Sequence, residues 1–526
     1  MSTKRAFLFA LPGESSGAVC QDAAPSPHPA PRTKRVKEEE PDFVASPHTA
    51  PQHVCEAKDA LLFSTYQVVV SQLPANYTQE PWFTALTLQP VVSSVCPAKP
   101  KPLQLYTQVK GILYLPRFAG LLSLGLPPPG RDFRVLGERM QDTAHFTGAL
   151  CATNPPQIPA VQATLQQLQA LGGALLVLPC GFGKTVCSLS IAATLHRRTL
   201  ILVHAEALGA QWVDRIHAFV PGAKVGKIQQ DVVDVDGCDF VVAMIQSLVK
   251  RDYALAVVQS FGLVIVDEAH HVAAPMFSKA LPKLPARYVL GLSATPNRTD
   301  GCGVALEYLL GPTVFKARRV HEHVTVRILT YTRGAEEELV NRQGKPLCST
   351  MLSNIATDLT RTQWVCDLIQ EQAAAQRNTL VLSDRLDQLS MLEQLLRQQA
   401  PGVSVGRVVG GTRAKNREQG FAASVILSTY TYASEGIDIP RLDTLVMATP
   451  RGNVEQTIGR ILRPFPAKPV PLVLDIKDPF SLFTAMAWKR HRYYKSQGYR
   501  TYFALDVPDS NDQGDAKSGE EEASSQ

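Results

Sequence analysis

The stretch Ala174-Leu-Leu-Val-Leu-Pro-Cys-Gly-Phe-Gly-Lys-Thr185 decides the fold. It opens with an apolar run, turns through two glycines and leads into a helix-like segment, Val186 to Leu195. A buried strand feeding a glycine-bearing turn and then a helix is the context a phosphate-binding loop requires. Gly181 and Gly183 let the backbone turn tightly so that N–H groups converge on an anion, and the helix N-terminus adds a positive dipole end. On this reading Leu178, Pro179, Cys180, Gly181, Phe182, Gly183, Lys184 and Thr185 cradle a nucleotide. Lys184 reaches the β- and γ-phosphates and the Thr185 hydroxyl ligates Mg²⁺. The common pattern G-x-x-x-x-G-K-[ST] has glycine where this chain has Leu178, so the loop alone also reads as an ordinary turn.

Working outward, strand-like and helix-like segments alternate from about 151 to 320. Strands are expected at 174–178, 199–203, 239–244, 262–266 and 287–292, with helices at 161–170, 185–195 and 207–219. The pattern restarts with strands at 379–383, 403–409, 425–428, 443–448 and 471–475. Alternation of this kind predicts parallel sheets covered by helices on both faces. The expected fold is therefore α/β, with two parallel-sheet domains in tandem and a cleft between them where a ligand can sit.

Three further segments fit a nucleotide cleft. Gly262-Leu-Val-Ile-Val-Asp-Glu-Ala-His270 sets two carboxylates at the end of a buried strand, on the sheet edge that faces the phosphate loop. Asp267 then holds Mg²⁺ through water, and Glu268 orients and deprotonates the attacking water. Without the loop, the pair reads as surface acids after a core strand. Tyr288-Val-Leu-Gly-Leu-Ser-Ala-Thr295 ends another strand in small hydroxyl residues, and Ser293 and Thr295 would relay hydrogen bonds toward the second domain. Val454-Glu-Gln-Thr-Ile-Gly-Arg-Ile-Leu-Arg463 reads as a helix carrying Gln456, Arg460 and Arg463 on one face. Two arginines presented together suit the charge that spreads over a transferring phosphoryl group. By itself the segment is equally a solvated basic helix.

Composition bounds the rest. A chain of 526 residues is too long for one core. With 45% hydrophobic and 19% charged residues, most of it is expected to be globular. No run of eighteen apolar residues predicts a transmembrane helix. The N-terminal basic-then-apolar stretch, Met1 to Leu11, is too short and lacks the small-residue cleavage site of a signal peptide. Ten scattered cysteines with no C-x-x-C pair argue against zinc and disulfides, and for a reducing, intracellular compartment. Residues 508–526 carry six acids against Lys517, a net −5, so the chain's net +6 means +11 on the remainder. That excess permits a nucleic-acid groove without demanding one.

The ends read differently from the middle. Residues 1–54, rich in Pro, Ala, Ser and His, and the acidic 508–526 cannot bury a core and are expected to be disordered. Within the first, Pro31-Arg-Thr-Lys-Arg-Val-Lys37 reads equally as a nuclear-localisation patch or a solvated charge run. Residues 55–150 hold β-branched segments at 66–71, 85–92 and 109–116 and read as a small β-rich accessory domain. The remaining boundaries are 151–320 for the ATP-binding domain, 321–360 for a connector and 361–507 for the C-terminal domain.

The motifs together resemble those of superfamily-two helicases of the DEAH type, whose two domains are RecA-like. Leu178 to Thr185, Asp267-Glu-Ala-His270, Ser293-Ala-Thr295 and Gln456-x-x-Gly-Arg-x-x-Arg463 occur in that family's order. Gln157 stands where the family's adenine-reading glutamine stands. Leu202-Val-His-Ala-Glu-Ala-Leu-Gly-Ala-Gln-Trp212 resembles motif Ia, and Ser428-Thr-Tyr-Thr-Tyr-Ala-Ser-Glu-Gly-Ile-Asp438 resembles motif V. The resemblance implies coupling roles for His270, Ser293, Thr295, Gly436 and Asp438. The form Leu-Pro-Cys-Gly-x-Gly-Lys resembles the XPB-like branch, while Arg298-Thr-Asp300 has Thr where that branch's Arg-Glu-Asp element has Glu. Tyr114 to Gly120, Phe146 to Leu150, Leu380 to Arg385 and Lys489 to Tyr499 resemble helicases of large nucleocytoplasmic DNA viruses.

The resemblance implies an ATP- and Mg²⁺-dependent helicase that closes two domains on ATP and acts on nucleic acid, DNA preferred over RNA. A viral origin would place it in an infected host cell or virion. The alternatives are a double-strand translocase or transcript-release remodeller that separates no strands, and a non-enzymatic nucleic-acid-binding scaffold. A restriction-type motor would bring nuclease or methylase motifs, and the sequence shows none. Nucleic-acid contacts are expected near motifs Ia and V and in Gly410-Gly-Thr-Arg-Ala-Lys415, mostly to phosphate. No aromatic stacking row stands out in the sequence.

Overall fold

Apolar runs in this chain become buried strands. Leu263-Val-Ile-Val266, Thr199-Leu-Ile-Leu-Val203 and Gly173-Ala-Leu-Leu-Val177 are buried at every position, as strands covered on both faces must be. They belong to an eight-stranded sheet in the order Val232–Asp234, Val225–Gln229, Phe240–Met244, Thr199–Val203, Leu263–Val266, Tyr288–Ser293, Gly173–Val177, Thr313–Lys316. Every neighbouring pair is parallel except the first. The parallel strands end at one edge, so the phosphate-loop strand and the acid-bearing strand open onto the same side, with Tyr288–Ser293 between them. Cores on both faces of this sheet hold it against its helices.

The computed structural model describes residues 60–72, 80–91 and 101–505, except 125, 127–128, 154, 273, 275, 295–299, 318–322, 333–337 and 345. Residues 1–54, the basic run at 31–37, Thr295, Arg298 and the acidic 508–526 lie outside the described residues. All described residues belong to one unit, Phe43–Gln526. Among them no helix is long and apolar enough to cross a membrane.

The second sheet has seven strands, all parallel. Its order is Val405–Arg407, Val425–Ser428, Thr379–Leu382, Thr444–Met447, Leu472–Lys477, Thr325–Thr330, Arg500–Leu505. Thr325–Thr330 falls within the expected connector, yet it pairs on both sides. The reason is its alternation of buried and exposed positions, Val326 and Ile328 inward and Arg327 outward, which lacks the continuous apolar run of its neighbours.

A five-stranded sheet of residues 61–132 precedes the first large sheet, in the order Thr107–Val109, Ile112–Pro116, Thr65–Val69, Leu61–Leu62, Arg131–Asp132. The expected strand at 85–92 shrinks to Thr87–Leu88, after a helix at Glu80–Ala85. Pro90, which cannot donate to a ladder, follows it.

This small sheet is keyed into the large one. Arg117 is buried and donates to the carbonyls of Ala286 (3.0 Å) and Leu284 (3.4 Å), just before the strand Tyr288–Ser293. Burial, with Arg134 nearby, pulls its pKa down to about 9. The Phe118 ring occupies the space beside Gly173, where a Cβ would fall 2.0 Å from it. The segment after the small sheet follows the edge where the large sheet's strands begin, bridging Val135 to Ala286 and Arg139 to Arg197.

Candidate active site

The loop after Gly173–Val177 turns through Gly181 (φ +85°) and Gly183 (φ +81°) into the helix Lys184–Leu195. Both angles lie in the left-handed region that glycine adopts without a Cβ penalty. At Gly183 a Cβ would also lie 2.3 Å from the side-chain nitrogen of Gln157. That glutamine opens the helix Gln157–Leu171 and braces the loop. Its Nε2 donates to the Phe182 carbonyl (3.0 Å) and its Oε1 accepts from the Cys151 N–H (2.9 Å). One N–H and one lone pair of the expected adenine reader are thus committed to backbone. The Lys184 ammonium donates to the Leu178 carbonyl across the loop mouth at 3.4 Å. Thr185 is half-buried in the first helical turn. Leu178 N–H donates to the Ser293 carbonyl (3.1 Å), which stitches the loop to the next strand end.

The carboxylates emerge one strand further on. Glu268 has φ +44°, a backbone state uncommon for a side-chain-bearing residue and concentrated at functional sites. Asp267 accepts from the Trp212 indole N–H (2.9 Å) and from the Glu268 backbone N–H (2.9 Å). Glu268 pairs with His270 at 3.4 Å. His271 lies against His270 and His204, with ring centroids 4.3 and 3.9 Å apart.

The charges around these acids push them apart. Burial, and then the Glu268 charge, raise the Asp267 pKa. Burial also opposes ionisation of Glu268, but Lys184, His270, Arg460 and His204 outweigh it and hold that carboxyl below its ordinary value. Burial opposes the Lys184 charge as well, and Glu268, Cys180 and Asp267 overcome it, so the ammonium is held above its usual range. The lowered pKa keeps Glu268 ionised, the state in which a carboxylate can accept a proton from water.

The arginines come from the second sheet. The helix there is Glu455–Ile461, shorter than the sequence suggests, so Arg463 follows the helix and does not share its face with Gln456 and Arg460. They still converge. Arg460 donates to the carbonyls of Ile437 (2.9 Å) and Ser434, and Arg463 donates to the Ile437 carbonyl (3.3 Å) and the Asp438 carboxylate. Gly436 closes the helix Tyr430–Gly436 just before this point. Gln456 sits half-buried in the first turn of its helix. The Arg460 charge acts on Lys184 and Glu268, and Arg215 of the first domain bonds Asp438 beside Arg463, so the two sheets face one another. Burial and Arg460 lower the Arg463 pKa, with Asp438 opposing.

Two residues here carry no role in the sequence reading. Trp212 and Arg215 lie on the helix Glu206–Phe219, and Arg215 meets Asp438 at 2.9 Å. Trp212 fits the apolar spacing Leu208, Trp212, Ile216, which hides the use of its N–H. Arg215 has no sequence signal of its own.

Residues 150–298 match the family described as type III restriction enzyme, res subunit, and residues 360–465 match the helicase conserved C-terminal domain. A putative ATP-dependent RNA helicase of Acanthamoeba polyphaga mimivirus is 32% identical over 403 residues, covering 75% of this chain and 76% of the relative. A putative ATP-dependent RNA helicase of African swine fever virus is 31% identical over 365 residues, 63% of this chain and 70% of the relative. A probable helicase of Escherichia phage T5 is 27% identical over 330 residues, 61% and 71% of the two chains. The chain belongs to the superfamily-two helicases that join a restriction-type domain to a helicase C-terminal domain. It is an ATP-dependent nucleic-acid helicase with two RecA-like α/β domains, similar to helicases of mimivirus and African swine fever virus.

Proposed function

We propose that the chain is a DEAH-type motor of the XPB-like branch that hydrolyses Mg²⁺-ATP between its two large sheets to move along DNA. The bond from Arg215 of the first sheet's domain to Asp438, which also holds Arg463, carries this reading together with the charge of Arg460 on Lys184 and Glu268, because it sets second-sheet arginines beside the first domain. The residue types fit a divalent cation: two adjacent half-buried carboxylates end the acid-bearing strand, and a hydroxyl, Thr185, opens the helix after the loop on the same sheet edge. Thr185 and Asp267 would hold Mg²⁺, which when bound neutralises phosphate charge. The loop N–H groups and Lys184 bind the triphosphate, and Gln157 fixes the loop against its helix. Glu268 takes the proton from the attacking water, with His270 against its carboxylate. Arg460 and Arg463 stabilise charge on the transferring phosphoryl group. Asp438 bonds Arg215 of the first domain as well as Arg463, and Ser293 accepts from the loop residue Leu178, which supports their coupling roles, with Gly436 ending the helix just before Asp438.

The restriction-type first domain supports DNA. A second reading, RNA, is favoured by the names of the mimivirus and African swine fever virus relatives. ATP turnover is measured with single- and double-stranded DNA and RNA at fixed salt, with Lys184→Ala as the inactive control. Stimulation by DNA, including duplex, is expected. Stimulation by RNA alone overturns the DNA assignment, and full turnover by Lys184→Ala overturns the site.

A further inference from the structure

We propose that the helix Ser481–Ser496 and the edge strand Arg500–Leu505 form a binding face for single-stranded nucleic acid, outside the matched helicase segments. The proposal rests on the chain acting on nucleic acid and names a place where it does so.

Residues 481–505 contain no Asp or Glu and five cations. Arg490 is consumed internally, bonding the Asp475 carboxylate at 2.6 and 2.9 Å and the Arg451 carbonyl at 2.7 Å. The other four, Lys489, Arg492, Lys495 and Arg500, are exposed, and none has an ion pair among the described residues. Unopposed cations along one helix and the adjoining strand match a phosphate backbone.

Aromatic rings stand among them. Trp488 is 56% exposed and Phe503 is 66% exposed. His491 lies between the two, 5.9 Å from the Trp488 ring and 5.4 Å from the Phe503 ring. A lone exposed aromatic needs no explanation, but this row joins helix and strand within a field of positive charge. Flat rings beside cations bind splayed bases by stacking while the cations track the phosphates. A duplex hides its base faces, so the rings favour a single strand.

The face is joined to the catalytic arginines. Lys489 and Met486 pack against Gly452, each within 3.7 Å of where a Cβ would stand, and Arg490 holds the Arg451 carbonyl. Arg451 and Gly452 lead directly into the helix Glu455–Ile461 that carries Arg460. A strand gripped on this face therefore pulls on the segment that positions the arginines.

The test uses the full chain and fluorescent twenty-nucleotide dT and rU strands, with a duplex for comparison. Trp488→Ala with Phe503→Ala is expected to weaken single-strand binding by about tenfold or more, since stacking is worth that per base. Duplex affinity and nucleic-acid-free ATP turnover stay unchanged. Lys489, Arg492 and Lys495 changed together to Gln are expected to flatten the single-strand salt dependence by about two in slope. These exposed charges lie outside the core, so the second variant reads the face even if the first folds poorly. Unchanged single-strand affinity and salt slope, with wild type binding normally, overturn the proposal. So does a change confined to self-association. Wild type binding no nucleic acid at all would instead overturn the function on which the proposal rests.

Discussion

Arg215 of the first RecA-like domain and Asp438 of the second meet at 2.9 Å, and the same carboxylate grips Arg463. One side chain therefore ties the two domains together and fixes Arg463, the arginine proposed to act on the phosphoryl group. Exposed pairs of this kind add little stability, so the importance of the contact is geometric.

Removing Arg215 should leave the fold and nucleotide binding close to wild type. Arg215→Ala is expected to lower nucleic-acid-stimulated turnover about three- to tenfold, because a misplaced charge weakens transition-state stabilisation. Steady-state ATPase assays beside thermal melts check this. A fall in melting temperature without a fall in kcat would assign the contact to stability instead.

Arg463→Ala should bind ATP and hydrolyse it slowly, by about a thousandfold if the side chain acts as an arginine finger. Binding of a fluorescent ATP analogue and turnover under saturating nucleic acid separate the two effects. An unchanged turnover number rejects the role.

Trp212→Phe keeps the buried ring and removes the N–H that Asp267 accepts. Partners of metal-binding carboxylates typically contribute about 10- to 100-fold in metal affinity. The Mg²⁺ concentration giving half-maximal nucleotide binding should rise in that range, with the melting temperature near wild type. The same Mg²⁺ requirement in both proteins would show that the indole only fills space.

Asp438 gives a pH signature. Burial opposes its charge, but Arg463 and Arg215 overcome it and hold the folded carboxyl below its ordinary value. A carboxyl with a lowered folded pKa contributes fully above its unfolded value of about 3.9, and that contribution is lost as pH falls through the folded value. The stability difference between wild type and Asp438→Asn should therefore be constant above about pH 5 and shrink below about pH 4. Urea unfolding across pH 3 to 6 measures it, and a constant difference throughout would contradict the pairing.

Much of this was legible in the residues because the signals are local. Apolar runs marked the strands at 199–203 and 425–428 to the residue, and glycine and lysine marked the loop between strand and helix. Thr325–Thr330 was not legible, since alternation in a short segment resembles a loop until both neighbours are known. Arg215 and Trp212 were not legible for another reason. Each works through a partner 55 or more residues away, and no local pattern records that separation. The helix expected over 454–463 ends two residues earlier, at Ile461, because spacing alone does not mark where hydrogen bonding stops.

The fit of Phe118 against Gly173, with Arg117 bonded to Ala286, bears on what counts as a separable part of this motor. The match to the restriction-type family begins at residue 150, but that boundary marks the reach of the shared motor domain and not an independent folding limit. A chain trimmed there would strip the cover from the base of the phosphate-loop strand and leave carbonyls at 284 and 286 without their donor. Residues 60–150 are better regarded as the missing wall of the first domain than as an appendage, and a minimal ATPase cut from this chain would have to keep them.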